Sequence, residues 1–321
     1  MRGVAIKAGI AAGVIVLGFI AAILLLNATL YSPAGFVRGY VETLERGDSA
    51  GALELAGPPR SSSSLDDLLT REGMSEIESF EVVEREERDG VHRVSVRYQA
   101  DGHTGSTEFS VRQTGLILGL FRQWEFASSP LAEIELTVLH TREFTANGVR
   151  LVAPVQDQPT TYLAFTPGVV TFAHRSGLLE AEPRTVVLGP PERTEVVELD
   201  AQANEAFVGQ VQAEVDRYLD ECASQPVLFP TGCPFGQQIA DRIVDAPVWS
   251  IAEYPPIELR PTATPGEWLA PEASGVARLA VDVQSIYDGS ITRFEADVPF
   301  SLEFVITFVG PSEIVITPRV D

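Results

Sequence analysis

The stretch AGIAAGVIVLGFIAAILLL, Ala8 to Leu26, decides where the rest of this chain works. It has no charge, no strong hydrogen-bonding side chain and no proline. At about 1.5 Å of rise per residue it reaches roughly 28 Å, close to the ~30 Å hydrocarbon core of a bilayer. The reading is an N-terminal transmembrane anchor. A cleaved secretory signal is the rival, but its apolar core runs only about 7–15 residues before a small-x-small site. Here LNATLYSPA follows, with Leu26 and Ala28 as a poor cleavage pair. Arg2 and Lys7 precede the span and the next cation, Arg38, lies beyond it. The positive-inside rule therefore places the N-terminus in the cytoplasm and everything from about Asn27 to Asp321 outside it.

Composition narrows the possible partners. A chain of 321 residues, less an anchor, predicts two or three compact units, and 45% apolar residues exclude wholesale disorder. The net charge is −22, and the exposed part is more negative still once Arg2 and Lys7 are set aside. Nucleic acid, polyanions and anionic headgroups require basic patches, so they are not expected partners. Cations, neutral glycans, peptides and proteins remain open. Lys7 is the only lysine, which favours a GC-rich bacterial genome because arginine codons are GC-rich.

Working outward from the span, the expected class is α+β. Residues 1–29 form the cytoplasmic stub and anchor. Residues 30–128 form a cone-fold α+β unit, 129–200 a small all-β sandwich, and 201–321 a second unit of helix plus antiparallel sheet. In the first unit Phe36, Val37, Tyr40, Val41 and Leu44 form a helical stripe, with Ser32 as cap and Pro33 in the first turn. A short helix from Ser49 to Ala56 follows. Gly57, Pro58, Pro59 and the serines 61–64 then predict a mobile loop. From Ile77 the period becomes alternating, with Asp89-Gly90 and Asp101-Gly102 as turns and a meander ending in Trp124 and Phe126.

Between Ile134 and Leu199 seven short strands are expected, with Asn147-Gly148 and Thr166-Pro167-Gly168 as turns. A helix from Asn204 places Phe207, Val211, Val215, Tyr218, Leu219 and Cys222 on one face. After a proline-rich connection ending at Pro271, strands are expected around 279–283, 294–298, 302–308 and 314–316, with a turn at Asp288-Gly289.

Among local motifs the cysteines are the most informative. Cys222 and Cys233 lie outside the cytoplasm by topology and are the only two in the chain, which predicts a disulfide. Redox chemistry favours Cys-x-x-Cys at a helix N-terminus, and zinc needs histidines at ligand spacing; neither pattern is present. GDSAG, Gly47 to Gly51, matches a nucleophile elbow in letters only, because a helix precedes Ser49, and Asp48 reads better as a helix cap. The overlapping Arg46-Gly47-Asp48 reads as a solvated turn rather than an adhesion motif. His92 and His103 flank one hairpin, where a metal pair or two ordinary surface histidines would both fit. Glu84, Glu86 and Glu87 read as a solvated tip, with cation binding as the alternative. His140 and His174 stand in no motif at metal-ligand spacing, Asp200 to Asn204 lacks the residues of a calcium loop, and no phosphate loop, dinucleotide fingerprint or HExxH occurs. No metal and no cofactor is expected.

PAGFVRGYVETLERGDSAGAL leading to GLFRQWEFASSPLAEIEL resembles the cone-shaped fold of the nuclear transport factor and SnoaL superfamily. With FTANGVRLVAP and LAFTPGVVTF after it, the order of parts resembles the extracytoplasmic repeats of TcaA-type envelope proteins. Those proteins often begin with a cytoplasmic zinc ribbon, which this chain lacks cysteines to form. The segment LDECASQPVLFPTGCPFG resembles a feature of actinobacterial membrane proteins.

The anchor, the cysteine pair and the stacked small domains, with no catalytic constellation, lead to the expectation of a single-pass protein of the cell membrane, in contact with lipid through Ala8 to Leu26. Its ectodomain would bind envelope protein or cell-wall glycan or peptide without catalysis. A concave mouth near Tyr40, Tyr98 and Trp124 is the expected binding surface. The competing readings are an enzyme using an Asp, His or Tyr in a cone pocket, and a passive spacer.

Overall fold

A computed structural model describes residues 2–57, 64–191, 193–310 and 313–319; the side chains of residues 2–12 and of Glu84 and Arg85 lie outside that description. The loop expected over 58–63 therefore falls outside it, as do the side chains of Arg2, Lys7 and Glu84. The fold is mixed α+β, with four helices among the described residues. It divides into two compact units, residues 1–173 with 182–199, and residues 174–181 with 200–321.

The first unit opens with α1 (Arg2–Ala28), α2 (Pro33–Glu45) and α3 (Ser49–Ala56). Both cap signals act as their chemistry dictates. The Ser32 hydroxyl accepts the Gly35 N–H at 3.0 Å and the Asp48 carboxylate accepts the Gly51 N–H at 2.9 Å, each satisfying a donor the helix leaves open. GDSAG is thus a helix start. A four-stranded antiparallel meander follows in the order β1 (Ile77–Arg88), β2 (Val91–Ala100), β3 (His103–Ile117) and β4 (Phe121–Phe126). Val37, Tyr40, Val41 and Leu44 of α2 are buried against Val94, Val96, Phe109 and Val111 of the sheet, so helical and alternating periodicities meet in one core.

Seven strands follow, as the alternation predicts: β5 (Leu131–Leu139), β6 (Glu143–Ala146), β7 (Val149–Val152), β8 (Pro159–Phe165), β9 (Val169–Arg175), β10 (Leu179–Val187) and β11 (Thr194–Asp200). They form two sheets, one ordered β11-β5-β8 and the other running through β10, β9, β6 and β7. This part shares its core with the meander. Leu131, Leu163, Phe165 and Val169 pack in the same cluster as Val37 and Val96, so residues 30–128 and most of 129–200 form one body. Tyr98 ties them by a polar contact. Its hydroxyl proton lies between the carbonyls of Gly168 at 2.9 Å and Leu188 at 2.7 Å, inside the core.

In the second unit, β12 (Gln202–Ala203) pairs with Leu179 and Glu180. Then comes α4 (Glu205–Ala223), capped by the Asn204 side chain on the Phe207 N–H at 3.0 Å. The sheet contains β13 (Arg242–Ile243), β14 (Val248–Glu253), β15 (Arg260–Pro261), β16 (Glu267–Gln284), β17 (Ile291–Phe308) and β18 (Ile314–Pro318). It is dominated by β16 and β17, each 18 residues long.

Two expectations need correction here. The strand begins at Glu267 and runs through Pro271, because a bulge between Ala270 and Ala273 takes the proline out of the ladder. Residues 294–298 and 302–308 belong to one strand across Pro299. β18 covers β17 only from Phe304 to Phe308, so Pro299 sits where β17 is an edge, and there a missing N–H is tolerated.

Replacing Tyr98 by Phe removes the only proton the Leu188 carbonyl receives from this side chain and is expected to cost about 1–3 kcal/mol, read by denaturant unfolding of the detergent-solubilised chain. Burial pushes the Tyr98 phenol up to about 12, and burial together with Asp67 does the same for Tyr162. An unfolded tyrosine titrates near 10, so the native state binds these protons more tightly. Their contribution is complete below about pH 10 and is lost as pH rises through about 12. Stability is therefore expected to hold to about pH 10 and then fall, with tyrosinate absorbance rising in step with loss of circular dichroism.

Candidate functional site

The described side chains of α1 pack on almost nothing. Val14 is 64% exposed, Ile15 72%, Leu17 68%, Phe19 59% and Leu25 65%. A helix that is apolar all round belongs in a core or in lipid. Among the described residues no single helix is long and apolar enough to cross a membrane; Gly13–Ala28 and Pro33–Glu45 meet that requirement only as a pair bent by 59°. The second member of the pair is not lipid-facing, since Val37, Tyr40 and Val41 are fully buried in the core of the first unit.

The bend is a built junction. The Thr29 hydroxyl donates to the Leu25 carbonyl at 2.8 Å and the Ser32 hydroxyl to the Thr29 carbonyl at 2.6 Å, closing the end of α1. The Asn27 carboxamide is saturated. Its NH₂ donates to the Ile23 carbonyl at 3.0 Å and to the Leu120 carbonyl at 2.9 Å, and its oxygen accepts the Arg122 N–H at 2.9 Å. Tyr31 stacks on Phe121 with ring centroids 4.5 Å apart, and the Trp124 indole N–H donates to the Tyr31 carbonyl at 2.8 Å. The end of the apolar helix is thereby held to the β3–β4 hairpin by residues 90 to 95 positions away in sequence. An open cleft of about 430 Å³ lies at the same bend, lined by residues that include Leu30, Ser32, Arg38 and Glu42.

The three aromatics expected around a concave mouth are interior residues. Tyr40 is fully buried, set edge-on to Phe109 and Phe126, with centroids 5.9 and 5.0 Å away. Its hydroxyl has no hydrogen-bond partner among the described residues, and burial drives its ionisation far above the usual tyrosine range. Tyr98 joins two parts of one core and Trp124 fastens the bend. The interior where a binding mouth or acid–base pocket was expected is filled by these rings.

His92 and His103 do not meet. His92 pairs with Val111 and His103 with Ala100, which puts them at opposite ends of the hairpin, roughly 26 Å apart along the strands. His92 lies edge-on to Trp124 and 3.9 Å from the Glu87 carboxylate. Glu86 and Glu87 are exposed at the end of β1, opposite Arg93 and His92 and next to the Asp89-Gly90 turn, a solvated end of the hairpin. Among the described residues no group of three or more His, Cys, Asp or Glu could hold a metal. His140 lies at a turn where its N–H donates to Asp157 at 2.8 Å, and His174 is buried.

In the second unit Cys222 and Cys233 are joined in a disulfide with Cα atoms 5.7 Å apart. The loop it closes is fastened at several points. The Tyr218 hydroxyl donates to the Gly232 carbonyl at 2.5 Å, Gln225 accepts the Thr231 N–H at 2.9 Å, and the Trp249 indole donates to the Val227 carbonyl at 2.8 Å. Phe235 fills the space below, 5.0 Å from Trp249 and 5.5 Å from Phe300. This fixed loop nonetheless presents Val227 and Phe229 to solvent, 44% and 62% exposed. A separate cleft of about 220 Å³ is lined by Glu214, Arg217, Glu221 and Tyr218 of α4 with Phe304, Ile316 and Pro318.

Sequence reasoning could have flagged the Leu-rich turn between β3 and β4 as out of keeping with the other turns. The part played by Asn27 had no local signal. Asn27→Ala leaves the Arg122 N–H and the Leu120 carbonyl without their partner, so hydrogen exchange at Arg122 is expected to rise about tenfold while Val96 stays protected. Searches of protein-family models, curated proteins and solved structures found no match to this chain.

Proposed function

We propose that this chain is a single-pass protein of the bacterial cell membrane whose ectodomain binds or scaffolds a partner in the envelope without catalysis. In this reading Ala8 to Leu26 lies in lipid, the N-terminus is cytoplasmic and the rest of the chain is outside. The observation that carries it is the exposed apolar surface of α1, from Val14 to Leu25, on a helix fastened at its end to a folded unit. Water would penalise that surface by about 25 cal/mol per Å², whereas lipid removes the penalty. The disulfide supports the same location, because such bonds persist in oxidising compartments. The order of parts resembling TcaA-type envelope proteins agrees with it.

In this reading the disulfide loop of the second unit is the partner surface. Val227 and Phe229 are apolar, exposed and held on a braced frame, so binding would order few further side chains. The surrounding acidity favours a neutral glycan, a peptide or a protein over a polyanion.

A photoreactive benzoylphenylalanine at Phe229 of the full chain in living cells is expected to give a discrete envelope adduct, one lost on Cys222→Ala/Cys233→Ala. A chain that yields no adduct from Phe229 or from Val227 is a passive spacer. The double alanine variant is also expected to lose about 3 kcal/mol of stability by denaturant unfolding, the chain-entropy value for a loop of this length.

A further inference from the structure

The β3–β4 hairpin breaks a pattern the protein otherwise keeps. Four hairpin connections have positive φ at two successive positions, a pair that suits tight antiparallel hairpins; three are two-residue turns, and the one between Ile117 and Phe121 has three residues. Three carry the expected polar residue before glycine: Asp89-Gly90, Asp101-Gly102 and Asn147-Gly148. The fourth is Leu118-Gly119, with Leu118 at φ +53° and 85% exposed. A branched apolar side chain is disfavoured in that conformation, and water gives no reason to place it there.

The surroundings of this tip are equally apolar. Leu116 is 54% exposed, Ile117 43% and Leu120 41%, and no charge occurs from Gln113 to Phe121. Arginines bound the segment, Arg112 paired with Glu125 and Arg122 exposed at its side chain. Beyond Arg112, the last residue of β3 with a partner in β2, the hairpin is a two-stranded ribbon. Such ribbons are marginal in water unless another surface supports them.

Its contacts with the bend set its direction. Asn27 meets Leu120 and Arg122, and farther along, Tyr31 meets Phe121 and Trp124. Followed backward, this order carries Ile117 and Leu118 alongside the part of α1 that precedes Asn27. One face of α1 agrees. From Gly13 to Leu30 only Ile23 and Asn27, one turn apart, are half-buried. Ile23 lies about 5 Å along the axis before the end of the apolar stretch at Leu26.

We infer that the Leu116–Leu120 tip is a second membrane contact, inserted beside α1 at the boundary between headgroups and acyl chains of the outer leaflet. The inference rests on the anchoring reading of α1. The tip fixes the first unit against the bilayer at two points instead of leaving it to swing on the bend. Its occupant is lipid, because the register places the tip at the depth where α1 itself is apolar. Arg122 then lies at headgroup height, where its long side chain reaches phosphate.

The test uses the full chain reconstituted in phosphatidylethanolamine and phosphatidylglycerol vesicles, with a nitrobenzoxadiazole label on Leu118→Cys or, at the opposite end of the sheet, on His103→Cys. Leu118 tolerates the change because its side chain is exposed, and retained near-ultraviolet circular dichroism confirms folding. The Leu118 label is expected to emit at shorter wavelength and to be quenched at least about threefold more than the His103 label by lipids spin-labelled near the headgroup. Water-like emission at Leu118 in a chain that floats with the vesicles and resists carbonate extraction overturns the insertion and leaves the anchor standing. A shielded but unquenched label means that protein covers the tip, which also overturns it. A chain that does not float with the vesicles removes the anchor and the insertion together.

Discussion

The carboxamide of Asn27 is the point on which the architecture turns. It stands where an apolar helix ends and a folded unit begins, and its donors and acceptor reach both. Two hydrogens and one oxygen are matched to the Ile23 and Leu120 carbonyls and the Arg122 N–H. Neither an aliphatic side chain nor a carboxylate has that set of groups. The Tyr31–Phe121 stack and the Trp124 bond extend the junction to the next turn. The helix is therefore an extension of the first unit with a defined direction.

The interior of the first unit is closed by aromatic packing. Tyr40, Phe109 and Phe126 fill the space between the helices and the meander, and Tyr98 draws the Gly168 and Leu188 carbonyls into the same core. A ligand there would have to displace rings already in edge-on contact. Accessible features among the described residues include the braced loop of Val227 and Phe229, the clefts at the bend and along α4, and the leucine tip of the β3–β4 hairpin. Rigid support under exposed apolar residues is the arrangement that loses least order on binding.

Much of this was legible in the order of residues, for reasons that are local. Helices α2 and α3 start at Ser32 and Asp48 because each is a short acceptor just before a helical stripe. Asp-Gly and Asn-Gly mark four hairpins, including the Asp288-Gly289 connection between β16 and β17, and alternation marks all seven strands from β5 to β11. The disulfide followed from two cysteines and a compartment. What was not legible depends on partners distant in sequence. Pro271 and Pro299 read as breaks, and only a bulge and an uncovered edge make them compatible with strands. Tyr40, Tyr98 and Trp124 read as a possible surface because aromatic residues serve cores and sites alike. His92 and His103 looked adjacent because hairpin length is easily mistaken for hairpin width.

Protease added to intact spheroplasts expressing the full chain reads out on which side of the membrane the folded units lie. Digestion of everything beyond the bend near Thr29 to Ser32 is expected, leaving a small protected fragment that contains Ala8 to Leu26. A full-length chain that survives in spheroplasts, yet is cut once the cells are lysed, would contradict the placement outside the cytoplasm.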